Sequence, residues 1–78
     1  MDTKIALVGI MIEDLNASVE VNALLHGVAD KVLCRMGFPY RDRGVHLISV
    51  VLDAAEGEIN SLAAKLDGLS GVNVKTIF

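Results

Sequence analysis

Residues 4–12 read KIALVGIMI: nine positions, short, rich in β-branched side chains and bounded by charge on both sides. The run predicts a strand. Alternate residues of a strand point to opposite faces, and here both sets are apolar. Ile5, Leu7 and Met11 share one face; Val8, Ile10 and Ile12 share the other. A strand of that kind is covered on both sides. Residues 45–53, VHLISVVLD, repeat the pattern apart from His46 and Ser49.

Outward from these two segments the remaining elements follow. Asp14 or Asn16 supplies a short side-chain oxygen able to cap a helix start. Ala17, Val21, Leu24, Leu25 and Val28 then fall at helical spacing, predicting a first helix to about Ala29, with Ser18, Glu20, Asn22 and His26 on its outer side. Residues 31–38, KVLCRMGF, predict a second strand with Val32, Cys34, Met36 and Phe38 on one face and Leu33, Arg35 and Gly37 on the other. The charge on Arg35 marks it as an edge strand, and Pro39, lacking an amide hydrogen, is expected to end it. Asp53 and Glu56 have capping-box spacing ahead of a second helix carrying Ile59, Leu62, Ala63 and Leu66, stopped at Gly68. Residues 72–78, VNVKTIF, form a last edge strand.

The order β-α-β-β-α-β predicts one α+β domain over residues 1–78. It is a ferredoxin-like sandwich with a four-stranded antiparallel sheet of order 4-1-3-2 and both helices on one face. Strands one and three are expected at the centre, side by side and running the same way. Gly9 and Ser49 occupy matching positions in them and predict a shallow groove.

The chain has 78 residues, 53% of them hydrophobic, and a net charge of −3. A domain this small buries only about two-thirds of its unfolded surface, so so much apolar material needs either a lipid or a protein partner. The longest apolar runs, 5–12 and 45–52, fall far short of the roughly 20 residues a membrane-spanning helix needs. No signal-peptide pattern opens the chain, and its single cysteine, Cys34, fits a reducing compartment, so a cytoplasmic location is expected. The negative balance argues against nucleic acid as a partner of the isolated domain. The surplus is expected to be covered by further copies of the chain, as a homodimer or homotetramer.

Candidate chemistry is sparse. Arg35, Arg41 and Arg43 lie within nine residues, with Lys31 and Tyr40 close by. Guanidinium groups grip carboxylate or phosphate bidentately, so this hairpin is a candidate site for a small anionic effector or an acidic protein surface. The alternative is a solvated turn with weak ion pairs. His26, Cys34 and His46 are the only soft metal ligands and lack any metal-binding spacing, although Cys34 and His46 are expected to approach across the hairpin; no metal and no cofactor are expected. Glu13 and Asp14 read as capping and solvation. No nucleophile–base spacing, phosphate loop or dinucleotide fingerprint occurs, so no enzyme is expected.

Three segments together, IALVGIMIED at 5–14, CRMGFPYRDRGVHLISVVLDA at 34–54 and LSGVNVKTIF at 69–78, resemble the small stand-alone family of iron-only hydrogenase system regulators, most specifically through RMGFPYRDRGV at 35–45. The resemblance spans essentially the whole chain. It implies an ACT-like fold and a role as a regulator in that system, sensing a small molecule, or else as a non-enzymatic accessory factor docking a hydrogenase-system protein. ACT-like modules bind effectors at subunit interfaces near the loop after strand one, which implicates Glu13, Asp14 and Asn16. The fold is also similar to the sensing domain of the nickel-responsive repressor. Of that domain's histidine ligands only His46 has a counterpart here. A strand beginning by residue 4 leaves no room ahead of it for that repressor's DNA-binding segment, so regulation is expected to act through ligand or protein contact.

Overall fold

The computed structural model describes residues 2–78. Strand β1 (Lys4–Ile12) leads through a 3-10 turn (Leu15–Ala17) into helix α1 (Ser18–His26). A second 3-10 turn (Ala29–Lys31) opens strand β2 (Val32–Tyr40), and a third (Arg41–Arg43) joins it to strand β3 (Val45–Ala54). Helix α2 (Glu56–Asp67) and strand β4 (Val72–Ile77) complete the chain. The sheet has the order β2-β3-β1-β4, with β3 and β1 at the centre as expected.

Every neighbouring pair is antiparallel, including β1 with β3. The parallel central pair expected from the sequence is therefore corrected. A β-α-β crossover returns β2 parallel to β1, and the hairpin then reverses β3, which enters between them against both.

Both helices lie on one face, and that face holds the core. Ala6, Val8, Ile10 and Ile12 of β1 and Ile48, Val50, Leu52 and Ala54 of β3 are buried beneath Val21 and Leu25 of α1 and Ile59, Leu62 and Leu66 of α2. No polar or charged side chain is buried among the described residues. Hydrophobic area is thus the dominant stabilising term, at about 25 cal/mol per Å² removed from water.

Local details depart from the sequence reading where tertiary pairing outweighs local chemistry. The proposed capping box fails: Asp53 stays in β3 opposite Ile5, Ala55 occupies the helix-cap position without a side-chain bond, and Glu56 pairs with Lys4 at 2.6 Å instead. Strand β2 continues through Pro39, opposite His46, because an edge strand offers proline a position whose missing amide hydrogen costs no ladder bond. A register irregularity between Val32 and Cys34 sets one residue, Leu33, outside the pairing. Such a bulge shifts the alternation by one. Val32 accordingly packs toward the core while Cys34, Met36 and Phe38 point to the opposite side.

The loop after β1 is tied to the turn before β4. The Gly71 carbonyl accepts the amides of Glu13 (2.7 Å) and Asp14 (3.3 Å), and Glu13 accepts a bond from the Asn73 side chain. Gly71 has φ +75°, and a Cβ there would lie 2.4 Å from the Cβ of Asp14. By contrast, the nearest atom to a Cβ on Gly9 is 3.9 Å away, an ordinary contact. Gly71→Ala is therefore expected to lower stability by about 2 kcal/mol or more, and Gly9→Ala to leave it nearly unchanged. Thermal unfolding of the two variants side by side checks the contrast.

Candidate functional site

The bare face of the sheet can be written out from its register. Across it run the rows Phe38–Leu47–Met11–Asn73, Met36–Ser49–Gly9–Lys75 and Cys34–Val51–Leu7–Ile77, with Tyr40–Val45 at one end and Asp53–Ile5 at the other. Directly opposed residues of an antiparallel pair point to the same side, so these side chains form one surface. Apart from Asp53, Asn73 and Lys75 near its margins and Ser49 within it, that surface is apolar. Its large members are exposed: Met36 69%, Phe38 55% and Ile77 63%. Gly9 faces Ser49 directly, and with Met11, Leu47 and Lys75 they line a trough across the middle, as the matched positions predicted. Strand β2 is exposed along nearly its whole length, and on the helix side α1 does not reach over it.

The candidate anion-binding residues separate. Tyr40 lies on the bare face, stacked at 5.7 Å from Phe38. Arg41 and Arg43 occupy the exposed 3-10 turn, closed by Gly44 at φ +66°. Arg35 is a strand length away, on the helix side opposite Val50, where it donates to Oδ1 of Asn22 on α1. The ion pairs among the described residues are Lys4–Glu56 and Lys31–Glu58, and neither uses an arginine.

The two carboxylates of the first loop have structural partners. Asp14 accepts the Asn16 amide at 3.0 Å and so starts the 3-10 turn, while Glu13 is held by Asn73. Cys34 and His46 do not approach each other. His46 is on the helix face, its Nε2 3.3 Å from where a Cβ on Gly37 would sit, and Cys34 is on the bare face opposite Val51. The bulge at Leu33 does not alter this, because the parity beyond it carries Cys34 and His46 to opposite sides. Among the described residues no three His, Cys, Asp or Glu side chains converge as a metal site.

Sequence reasoning did not single out Asn22. It stands four residues before His26 and three after Val19, so all three lie along one stripe of α1, beside Arg35. The spacing was visible, but only the packing of α1 short of β2 makes the stripe line a cleft rather than open solvent.

The sequence matches the family described as "TM1266-like: Iron-only hydrogenase system regulator, putative" over residues 4–76. The chain belongs to this family. The TM1266-like assignment agrees with the solved structure of the uncharacterized protein TM1266 from Thermotoga maritima, at TM-score 0.93 and 32% identity over 97% of this chain and 96% of that one. Part of a formyltetrahydrofolate deformylase from Pseudomonas putida KT2440 has the same fold, at TM-score 0.69 and 16% identity over 96% of this chain and 29% of the enzyme. No curated protein matches. The TM1266-like description carries a regulatory role in the iron-only hydrogenase system. No helix among the described residues is long and apolar enough to cross a membrane.

One titration is set by local geometry. The Glu58 carboxylate, hydrogen-bonded to Nζ of Lys31, holds that ammonium above the ordinary lysine value; desolvation pulls it down, and the charges of Glu58 and Asp30 add to the rise. A raised folded-state value means that the contribution is complete at neutral pH and lost as pH climbs through the alkaline lysine range. Glu58→Gln is expected to flatten that alkaline fall in the unfolding midpoint, as thermal melts across alkaline pH would record.

Proposed function

We propose that this chain is a non-enzymatic regulatory module of the iron-only hydrogenase system that works as a homo-oligomer, its copies meeting through the bare sheet face, and that senses a small anionic effector. The family description supports the regulatory part. The observation that carries the assembly is the apolar face itself. Burying a large apolar side chain is worth about 1.5–3 kcal/mol. Six such residues, Leu7, Met11, Met36, Phe38, Leu47 and Ile77, offer on the order of 10 kcal/mol, enough to compete with an association cost of about 4–15 kcal/mol.

A second copy suits this face better than a different protein. Among the described residues its charges are Lys75 on β4 and Asp53 on β3, which lie on either side of Leu7 in the register. A two-fold axis through Leu7 brings each Lys75 toward Asp53 of the second copy, with aliphatic side chains between. Isologous contacts of this kind are self-complementary by symmetry. Leu47→Lys places an ammonium in the centre of that contact without touching the core beneath the helices. The variant is expected to stay folded and elute as a single chain in size-exclusion chromatography with light scattering, while the unaltered protein elutes as a multiple. A folded, unaltered chain that is already monomeric removes the proposal.

A docking role is favoured by a separate observation: Arg41 and Arg43 project from an exposed turn without ion-pair partners among the described residues. Such a turn suits an acidic surface on a hydrogenase-system protein. Co-purification from cells that express that system is expected to retain a defined partner, and Arg41→Glu with Arg43→Glu to lose it. Undiminished retention rejects this surface.

A further inference from the structure

Arg35 is an outlier on the helix side of the sheet. Its neighbours there are apolar: Val50 opposite it, Val32 before the bulge, and Leu25 on the helix above. Together with Val19, Asn22 and His26 they line an open cleft of about 650 Å³ between α1 and β2, with Arg35 and His26 at its walls.

The guanidinium is held in place by a chain of two bonds. The Asn22 side-chain nitrogen donates to the Ser18 carbonyl at 2.9 Å, which orients the amide so that its oxygen faces Arg35. One arginine N–H is thereby satisfied. A guanidinium carries five N–H donors in a rigid fork, and no carboxylate among the described residues takes up the others as an ion pair. Ordering a long side chain costs rotamer freedom; the bond to Asn22 offsets part of that cost and leaves the fork presented beside an apolar wall.

We infer that the cleft between α1 and β2 binds a small monocarboxylate with an apolar body. The carboxylate meets the Arg35 fork, His26 supplies a further N–H donor at the rim, and the apolar portion lies on Val32 and Val19, outside the buried Val50 and Leu25. A bare phosphate fits less well, because it would place two or three strongly hydrated oxygens against that wall with a single guanidinium to offset them. The inference rests on the sensing role proposed above and gives it a location and a ligand class. The cleft opens on the helix side, away from the face proposed to join the copies.

The test is a titration of the full-length chain, labelled at Ile, Leu and Val methyls and at arginine Nε, followed by NMR. The probes are isovalerate, 4-methylpentanoate and phenylacetate, with phenylacetamide and inorganic phosphate as controls. Saturable shifts are expected at the Val32 and Val19 methyls and at Nε–H of Arg35 with at least one carboxylate and with neither control. Arg35→Lys, which keeps the charge and loses the fork, is expected to weaken binding at least tenfold, with the dispersed methyl spectrum showing that the fold is retained. Arg41→Gln is expected to leave it unchanged. No saturable shift with any of the three carboxylates, equal shifts with phenylacetamide or phosphate, or undiminished binding in Arg35→Lys overturns the inference. Because this experiment reads the helix side and the size measurement reads the sheet face, failure of one leaves the other result intact.

Discussion

Two helices cover one face of a four-stranded sheet, yet the two central strands are apolar on both. Everything else in the molecule is arranged around that mismatch. On the covered side Val8, Ile12, Val50 and Leu52 are excluded from water by Val21, Ile59 and Leu66, and among the described residues no buried polar side chain supplements that packing. On the other side Leu7, Met11, Leu47 and Val51 repeat the same chemistry with nothing above them. Antiparallel sheets ordinarily resolve this by turning polar on the solvent side. This one does so only near its margins, at Asp53, Asn73 and Lys75.

The second constraint is the short reach of α1. It packs Val21 and Leu25 over the centre of the sheet and leaves β2 uncovered. Strand parity, not the helix, assigns Met36, Phe38 and Tyr40 to the apolar patch on the bare face. On the helix side the short reach of α1 opens the cleft in which Asn22 steadies Arg35. The arginines look like one cluster in the sequence, but the extended strand between them, at about 3.3 Å per residue, carries Arg35 and the Arg41–Arg43 turn to different places.

The strands, the helices and their order were legible because each depends on periodicity over many residues. Ile59, Leu62 and Leu66 announce α2 whatever surrounds them, and the doubled apolar pattern of residues 4–12 and 45–53 places those strands at the centre. What was not legible turns on single residues or on long-range competition. Leu33 slips out of the β2 ladder and reverses the facing of Val32 relative to Cys34, a change invisible to a count of alternate positions. Asp53 and Glu56 have good capping spacing, but pairing with β1 holds Asp53 in the strand. The direction of β3 relative to β1 follows from topology rather than from any local residue. The candidate site was legible only in its ingredients: Arg35 stood out by charge, whereas its partner Asn22 became meaningful once α1 and β2 were placed side by side.

The most direct measurement is the accessibility of the methyl groups to a soluble paramagnetic relaxation agent, read by NMR on the chain at working concentration. If the bare face is covered by a second copy, the methyls of Leu7, Met11, Leu47 and Val51 will relax slowly, as core methyls such as Val8 do, while the exposed helix-side methyls of Val19 relax fast. Equal, rapid relaxation at Leu7, Leu47 and Val19 would contradict the account.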